Sequence, residues 1–147
     1  MSLKEKLLDD LKTAMKSKDV IRKNVVQLIR SAVLQVEKDD RVTLDDDSII
    51  TVIAKELKKR TDALPEYEKS GRQDLIDGLK TEIDILYGYL PPQLTEDEIV
   101  KIVDETIKRT GASTIRDMGK VMQEIKPRIE GRADGKTVSQ IVKTKLK

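Results

Sequence analysis

The residue types that could carry out chemistry are few in this chain, because it contains no histidine and no cysteine. Their absence excludes Ser-His-Asp triads, cysteine nucleophiles, zinc fingers and histidine-ligated metals. A catalytic site would have to use Asp, Glu, Lys, Tyr, Ser or Thr, and nearly all of the carboxylates fall on helix positions that should face solvent. We therefore expect no catalytic residues, no cofactor and no enzymatic activity.

Three consecutive aspartates, Asp45 to Asp47, form the acidic cluster most easily taken for a metal site. Adjacent carboxylates on a helix diverge in direction, and acidic side chains are favoured in the first turn, where the helix dipole is positive. We interpret the cluster as the start of a helix and predict no metal site.

A glycine-rich segment, Gly131 to Thr137, has some likeness to a phosphate-binding loop. It has three residues between its glycines where that loop has four, and a predicted helix rather than a strand precedes it. A weaker alternative is a single phosphate held by the free amides where the next helix begins, beside Lys136. We favour the simpler interpretation, in which the glycines provide positive φ and Lys136 is an exposed side chain.

Basic side chains are concentrated near the C-terminus, although the net charge of the 147 residues is only +2. Residues 112–147 hold 9 basic and 4 acidic side chains, a net charge of +5. Two stripes arise at helical spacing, Arg116 with Lys120 and Gln123, and Lys136 with Gln140, Lys143 and Lys147. No aromatic residue follows Tyr89, so a nucleic-acid partner would be held by its phosphates and its folded or duplex shape. An ordinary solvated face is the alternative.

The elements that position these residues are predicted to be helical almost throughout. Apolar residues recur at helical spacing in seven segments, and no segment shows the alternation of a strand. The expected helices cover about residues 2–17, 19–38, 43–70, 73–89, 95–111, 113–127 and 134–146. Because proline disfavours helix, we expect a kink or break at Pro65 and an end or kink at Pro127.

Pro91 and Pro92 mark the strongest boundary in the sequence, since neither continues a helix. We predict an all-α fold with an N-terminal helical subdomain of about four helices over residues 1–90. A linker over residues 91–94 would join it to a three-helix tail subdomain over residues 95–147. The charges divide at the same place, with a net charge of −1 before residue 93 and +3 from there on.

The sequence also bears on location. No apolar run approaches the ~20 residues of a membrane span, and Met1 to Glu5 open no apolar segment of a secretory signal. Binding to an acidic membrane ranks low, because the apolar residues are needed for a small core. We expect a cytoplasmic location and no membrane partner.

The tail carries an extended motif, with Met118 to Met122 followed by Pro127 and then by Gly131 to Val138. It resembles the M-G-x-V-M … P-x-x-x-G-x-A-D-G-K-x-V pattern of the GatB/YqeY family. The resemblance extends upstream through Glu68 to Leu75 and Tyr89 to Leu94, and it is closest to the small stand-alone YqeY-like proteins.

This resemblance implies an all-helical fold in two subdomains. The larger relative is the B subunit of the glutamine-dependent amidotransferase that acts on mischarged tRNA, in which the tail domain contacts the outer corner of the tRNA. The amidotransferase active sites lie in other domains, which these 147 residues do not contain. The resemblance therefore implies tRNA binding without catalysis.

Our leading hypothesis is a non-catalytic module that binds tRNA, or a complex of tRNA with a synthetase or amidotransferase. Charge and loop position select the candidate contacts Arg116, Lys120, Lys126, Arg128, Arg132, Lys136 and Lys143. One alternative is a protein-interaction adaptor that docks through its N-terminal helices or through a basic outer face, Lys55 to Arg60. Another is an accessory factor that supports glutamine-dependent amidotransfer, a carbon–nitrogen ligase reaction, in trans.

Overall fold

The fold consists of helices and contains no strand. A computed structural model describes all residues, 1–147. The α helices are α1 (Leu3–Ser17), α2 (Val20–Asp40), α3 (Asp46–Ser70), α4 (Gln73–Tyr87), α5 (Glu96–Thr110), α6 (Met118–Ile129) and α7 (Gly135–Lys145). A short 3-10 helix, Ile115–Asp117, precedes α6. The predicted all-α class is confirmed.

The chain divides into two compact units, Met1–Leu90 and Pro91–Lys147. The first contains α1 to α4, and the second contains α5 to α7. Each unit has a hydrophobic core of its own.

The core of the first unit is formed where α2 packs against α1, α3 and α4. Its most completely buried side chains are Leu7, Val25, Val26, Ile29, Ile49, Ile53 and Leu86. On α4 the buried row is Ile76, Leu79, Ile83 and Leu86, whereas Leu75 is exposed.

Side-chain caps mark where α2 and α3 begin. Asp19 accepts a hydrogen bond from the Arg22 amide at 3.2 Å, which confirms it as the cap of α2. The cap of α3 is Asp45, which accepts from the Ser48 amide at 2.9 Å. An earlier start at Thr43 is therefore incorrect, because the aspartate satisfies the first amides of this helix.

The two helix-internal prolines do not break their helices. Pro65 lies inside α3, and Pro127 lies inside α6, which continues to Ile129. A proline in a helix removes one amide donor. In α6 the buried Ile129 holds the turn beyond Pro127, whereas residues 65–70 of α3 are all exposed and packing does not explain their helix. The predicted end of the sixth helix at Pro127 is wrong, as is a break at Pro65, and the alternative of a kink at either residue stays a prediction.

The core of the second unit lies among α5, α6 and α7. Val103, Val121, Ile125, Val138 and Val142 are completely buried there. Ile115 lies outside this core and is exposed, in the separate 3-10 turn of residues 115–117 before α6 begins.

The segment that enters α5 is fastened to the loop between α6 and α7. The Leu94 amide donates to the Arg132 carbonyl at 2.8 Å, and the Gln93 side chain donates to the Gly131 carbonyl at 2.8 Å. A capping box then starts α5, as Thr95 and Glu98 each accept from the other's backbone amide.

None of the helices has the length and apolar content that crossing a membrane requires.

Candidate nucleic-acid interface

The exposed face of α7 carries two of the predicted contacts. Val138 and Val142 point into the core, which leaves Lys136, Gln140 and Lys143 exposed on the opposite side. Lys136 and Lys143 are seven residues apart, about 10 Å along the helix axis. Lys147 does not continue this stripe, because α7 ends at Lys145 and Leu146 has extended backbone.

The start of α7 is capped by a carboxylate of the chain itself. Asp134 accepts a hydrogen bond from the Lys136 amide at 3.3 Å and another from the Thr137 hydroxyl at 3.3 Å. A phosphate held by these amides would have to displace Asp134, so the alternative of a phosphate site at this helix start is not supported. Of the two glycines, Gly131 has positive φ, whereas Gly135 is the first residue of α7.

A second group of predicted contacts lies on the 3-10 helix and α6. Arg116, Lys120 and Lys126 are all exposed. The exposed face of α6 is opposite its buried row, Val121, Ile125 and Ile129. No carboxylate oxygen lies within 4.0 Å of the charged atoms of these three cations, so their charge is available to a partner.

Two of the predicted contacts are partly engaged within the protein. Arg128 forms an ion pair with Glu105 of α5 at 3.0 Å, and its side chain is half-buried. Arg132 is half-buried in the loop before α7, and its backbone carbonyl accepts from Leu94. Arg128 is therefore the least available of the seven predicted cations, since the other six have no carboxylate partner within 4.0 Å.

Several carboxylates of the second unit are occupied by partners of their own. Asp104 pairs with Lys145 at 3.5 Å, and Glu124 pairs with Arg109 at 3.4 Å. Asp117 accepts from the backbone amides of Ser113 and Thr114 at 2.9 and 3.2 Å. These amides lower the pKa of Asp117, so its carboxylate is ionised and already bound. The ion pairs use the charge of Asp104 and Glu124, whereas Asp117 stays an anion whose pKa the charge of Lys120 also lowers.

Two further free cations lie on α5 and were missed in the sequence. Lys101 and Lys108 are exposed and have no carboxylate within 4.0 Å. They are seven residues apart and therefore share one face of α5. That spacing is visible in the sequence, but the candidate contacts were chosen from the basic segment 112–147, which leaves both lysines out.

The aspartates at the start of α3 are used by the fold. Asp45 caps α3, and Asp46 accepts from the Leu3 amide at 3.0 Å. Asp47 lies in the first turn of α3. No group of three acidic side chains is arranged to hold a metal ion.

The predicted basic outer face, Lys55 to Arg60, is smaller than expected. Lys55, Lys58 and Lys59 are exposed, but Arg60 is turned inward. Arg60 pairs with Glu56 at 3.0 Å and with Glu82 of α4 at 3.4 Å. The Arg60 guanidinium is therefore paired with carboxylates of α3 and α4 and is not available to a binding partner.

Comparison with known proteins identifies the family. The sequence profile of the YqeY-like proteins matches residues 4–146. The chain belongs to the YqeY-like family. The family resemblance inferred from the tail motif is therefore confirmed for its YqeY branch, and the match covers both units of this YqeY-like chain.

Curated relatives of this YqeY-like protein carry the name "Altered inheritance of mitochondria protein 41, mitochondrial". The protein of Pyrenophora tritici-repentis is 28% identical over 146 residues, which are 95% of this chain and 81% of that protein. The protein of Kluyveromyces lactis is 34% identical over 101 residues, 66% of this chain and 55% of that protein. The protein of Vanderwaltozyma polyspora is 25% identical over 119 residues, 76% of this chain and 64% of that protein. The matches thus span about half to four fifths of these relatives.

The relatives correct the expectation about location. All three are named as mitochondrial proteins, which contradicts the cytoplasmic location expected from the sequence. That expectation rested on missing cysteine and a missing secretory signal, and neither feature distinguishes the cytoplasm from the mitochondrion.

Proposed function

We propose that this YqeY-like chain binds folded RNA, that its ligand is tRNA, and that it catalyses no reaction. The observation that carries the proposal is the state of the cations in the second unit. Six of the seven candidate contacts, all except Arg128, have no carboxylate within 4.0 Å, while several acidic side chains of that unit are bound to partners. Cations without partners are the groups that gain most from contact with phosphates.

The geometry favours recognition of the backbone over recognition of bases. The free cations lie on the exposed faces of helices, where lysine and arginine side chains reach phosphates. The second unit has no aromatic residue on which an unpaired base could stack. Such a surface suits a folded or duplex RNA, whose phosphates lie at fixed positions.

The likeness of the tail to the tRNA-contacting domain of the amidotransferase B subunit supports the choice of tRNA. That domain is an appendage without an active site, which is consistent with a binding role here. The proposal also covers a tRNA already bound to a synthetase or amidotransferase, with this chain acting in trans. We also propose a mitochondrial location, because the names of the relatives include the word mitochondrial. Fractionation of cells that express the chain tests this location.

The test is a measurement of tRNA affinity for two matched variants. Lys143→Ala removes an exposed, unpaired lysine from α7, and Lys55→Ala removes an equivalent lysine from α3 in the first unit. We expect Lys143→Ala to lose one phosphate contact, which should weaken the binding free energy by about 1 kcal/mol and raise the dissociation constant about fivefold. Lys55→Ala should leave the affinity within error of the wild type.

The proposal fails if the wild-type chain does not bind tRNA at low salt, or if both lysine variants weaken binding equally. The second result would mean that net charge alone, rather than the second unit, attracts the RNA. Unchanged helical circular dichroism for both variants is the required control.

Exposed apolar side chains on the first unit favour a second candidate function, a protein-interaction adaptor. Leu8, Met15, Val20, Ile21, Leu28 and Leu34, all on α1 and α2, are each more than a third exposed. Leu8 and Met15 are seven residues apart on α1, as are Ile21 and Leu28 on α2, so each pair shares one face of its helix. A contiguous exposed apolar face is typical of a surface that meets another protein. A partner that co-purifies after nuclease treatment, and is lost with Leu28→Ser, would favour this candidate over RNA binding.

A further inference from the structure

The first two helices each carry a row of side chains that the core of the first unit does not bury. On α1, Leu8, Lys12 and Met15 follow at intervals of four and three residues, so they share one side of the helix, and all three are exposed. The equivalent row on α2 has the same helical spacing and contains no buried residue: Lys23, Gln27, Arg30 and Leu34.

An ion pair shows that the two rows lie side by side. Lys4 pairs with Glu37, and these residues continue the rows, four positions before Leu8 and seven after Arg30. The helices pack against each other and are joined through Lys18 and Asp19 alone, so they run antiparallel. The rows therefore form one continuous surface, the α1–α2 outer face: Leu8, Lys12, Met15, Lys23, Gln27, Arg30 and Leu34.

The α1–α2 outer face is positively charged. No carboxylate oxygen lies within 4.0 Å of the charged atoms of Lys12, Lys23 or Arg30. The charge of Lys4 is neutralised by Glu37, and one further acidic side chain, Glu5, lies on the same side of α1 near its N-terminal end. Three unpaired cations thus outnumber the one unpaired carboxylate, so the charge of the face is complementary to an acidic occupant.

Apolar side chains lie among these cations. Leu8, Met15 and Leu34 are 38%, 60% and 58% exposed. In the row of α1, Lys12 lies between Leu8 and Met15, so a cation separates the apolar residues instead of bordering them.

This mixture selects the occupant. Phosphates of an RNA would pair with the cations but gain nothing from the apolar side chains. Insertion into a bilayer would bury Lys12 together with its apolar neighbours, and the face lacks the aromatic residues typical of membrane interfaces. An amphipathic helix with acidic residues beside its apolar stripe satisfies both kinds of side chain, and two helices packed side by side present the ridges against which a third helix packs.

We propose that the α1–α2 outer face docks an acidic amphipathic helix of a partner protein. The apolar side chains of that helix pack on Leu8, Met15 and Leu34, and its carboxylates pair with the three unpaired cations of the face. This inference rests on residues of the first unit alone and goes beyond the proposed RNA binding, which uses the second unit.

The experiment uses a labelled synthetic peptide of about 20 residues and the full chain. Leucine at every third or fourth position gives the peptide one apolar stripe, and glutamate and alanine occupy the other positions. Fluorescence anisotropy measures its affinity, with a peptide of the same composition in scrambled order as the reference. We expect the amphipathic peptide to bind the wild type about tenfold more tightly than the scrambled one.

Two matched pairs of variants locate the binding surface. Lys12→Glu reverses an exposed, unpaired charge on the face, and Lys55→Glu does the same on α3. Leu8→Ser removes a 38% exposed leucine from the face, and Leu75→Ser removes a 42% exposed leucine from α4. Each change on the face should weaken peptide binding about tenfold, whereas both controls should bind as the wild type does. High salt should weaken binding by the wild type but leave the effect of Leu8→Ser in place.

The outcomes separate this inference from its rivals. It is wrong if the wild type does not distinguish the two peptides, or if Lys12→Glu and Lys55→Glu weaken peptide binding equally. Should Leu8→Ser lose helical circular dichroism, Lys12→Glu alone decides. If Lys12→Glu binds the peptide normally but loses affinity for tRNA or for phosphatidylserine vesicles, the face has that occupant instead and the inference is overturned. Binding of tRNA that all four variants retain would leave the proposed function intact whatever the peptide result.

Discussion

Arg60 illustrates how a partner elsewhere in the fold decides whether a cation is available. Helical spacing places it beside three exposed lysines, yet its side chain is only 13% exposed. It donates to Glu56 of its own helix at 3.0 Å and to Glu82 of α4 at 3.4 Å. Arg128 likewise forms an ion pair with Glu105 of α5. A stripe of basic residues in a sequence therefore overestimates the charge that reaches a partner.

The Arg60 cluster makes the first prediction, which concerns stability. The Glu56 side chain is 12% exposed and pairs with Arg60. Glu56→Ala removes this partner and leaves Glu82 as the remaining carboxylate of Arg60. Because Arg60 keeps Glu82 and the backbone carbonyl of residue 56, the cost is below that of an unpaired buried charge, and we expect the free energy of unfolding to fall by about 2 kcal/mol. Urea unfolding of the full chain measures it.

Asp62→Ala is the control for this prediction. Asp62 pairs with Lys58 on the same helix at 3.2 Å, but both side chains are more than 60% exposed. Removing an exposed pair should cost less than about 0.5 kcal/mol. Equal losses for the two variants would show that burial does not govern the strength of these pairs.

At the scale of the helices, apolar spacing and capping residues predicted much of the fold. Asp19, Thr95 and Asp134 cap α2, α5 and α7 as their sequence context indicates. These predictions succeed because a cap depends on residues within one turn. The break at Pro65 and the end at Pro127 are wrong, while a kink at either proline stays a prediction. Beyond Pro127 the buried Ile129 anchors the last turn of α6, and such a tertiary contact is not visible in the sequence.

The capping box of α5 makes a prediction about pH. The Thr95 amide donates to the Glu98 carboxylate at 3.0 Å, and this hydrogen bond, with a smaller contribution from the Arg132 charge, lowers the pKa of Glu98. A carboxyl whose pKa is lower in the folded state adds stability above its ordinary pKa of about 4.3. That stability is lost as the pH falls through the lower folded pKa.

Glu98→Gln tests this contribution, because glutamine keeps an oxygen that can accept from the Thr95 amide but does not titrate in this range. We expect the unfolding free energy of the variant to fall less than that of the wild type between pH 5 and pH 3, in the same urea series. Other carboxylates titrate in both proteins, so the difference isolates Glu98. Identical acid sensitivity would contradict the assignment.

For the whole molecule, the division near Pro91 and Pro92 leads to a prediction about fragments. The unit Pro91–Lys147 has its own core, but a chain of its size buries little apolar surface. We expect the isolated fragment to be helical and marginally stable, with a melting temperature well below that of the full chain. Thermal circular dichroism measures it. A fragment that is unfolded at 10 °C, or as stable as the full chain, would contradict the prediction.

The candidate interface was only partly predictable from the sequence. Helical periodicity correctly placed Lys120, Lys136 and Lys143 on exposed faces, because the solvent side of an amphipathic helix follows from its apolar row. It could not show that Arg128 pairs with a residue 23 positions away on another helix. It also extended the last stripe to Lys147, beyond the end of α7, since the turn after Lys145 carries no proline or glycine to mark it.

The salt dependence of tRNA binding tests the central claim most directly. If free cations of the second unit contact phosphates, the logarithm of the association constant should fall linearly with the logarithm of the salt concentration, by about 0.9 per phosphate on a duplex-like RNA. Lys136 is exposed, and no carboxylate lies within 4.0 Å of its ammonium group. The Lys136→Ala variant should therefore bind tRNA more weakly, and its slope should be shallower than that of the wild type by about one. A wild-type affinity that does not change with salt, or a Lys136→Ala slope equal to that of the wild type, would contradict the account.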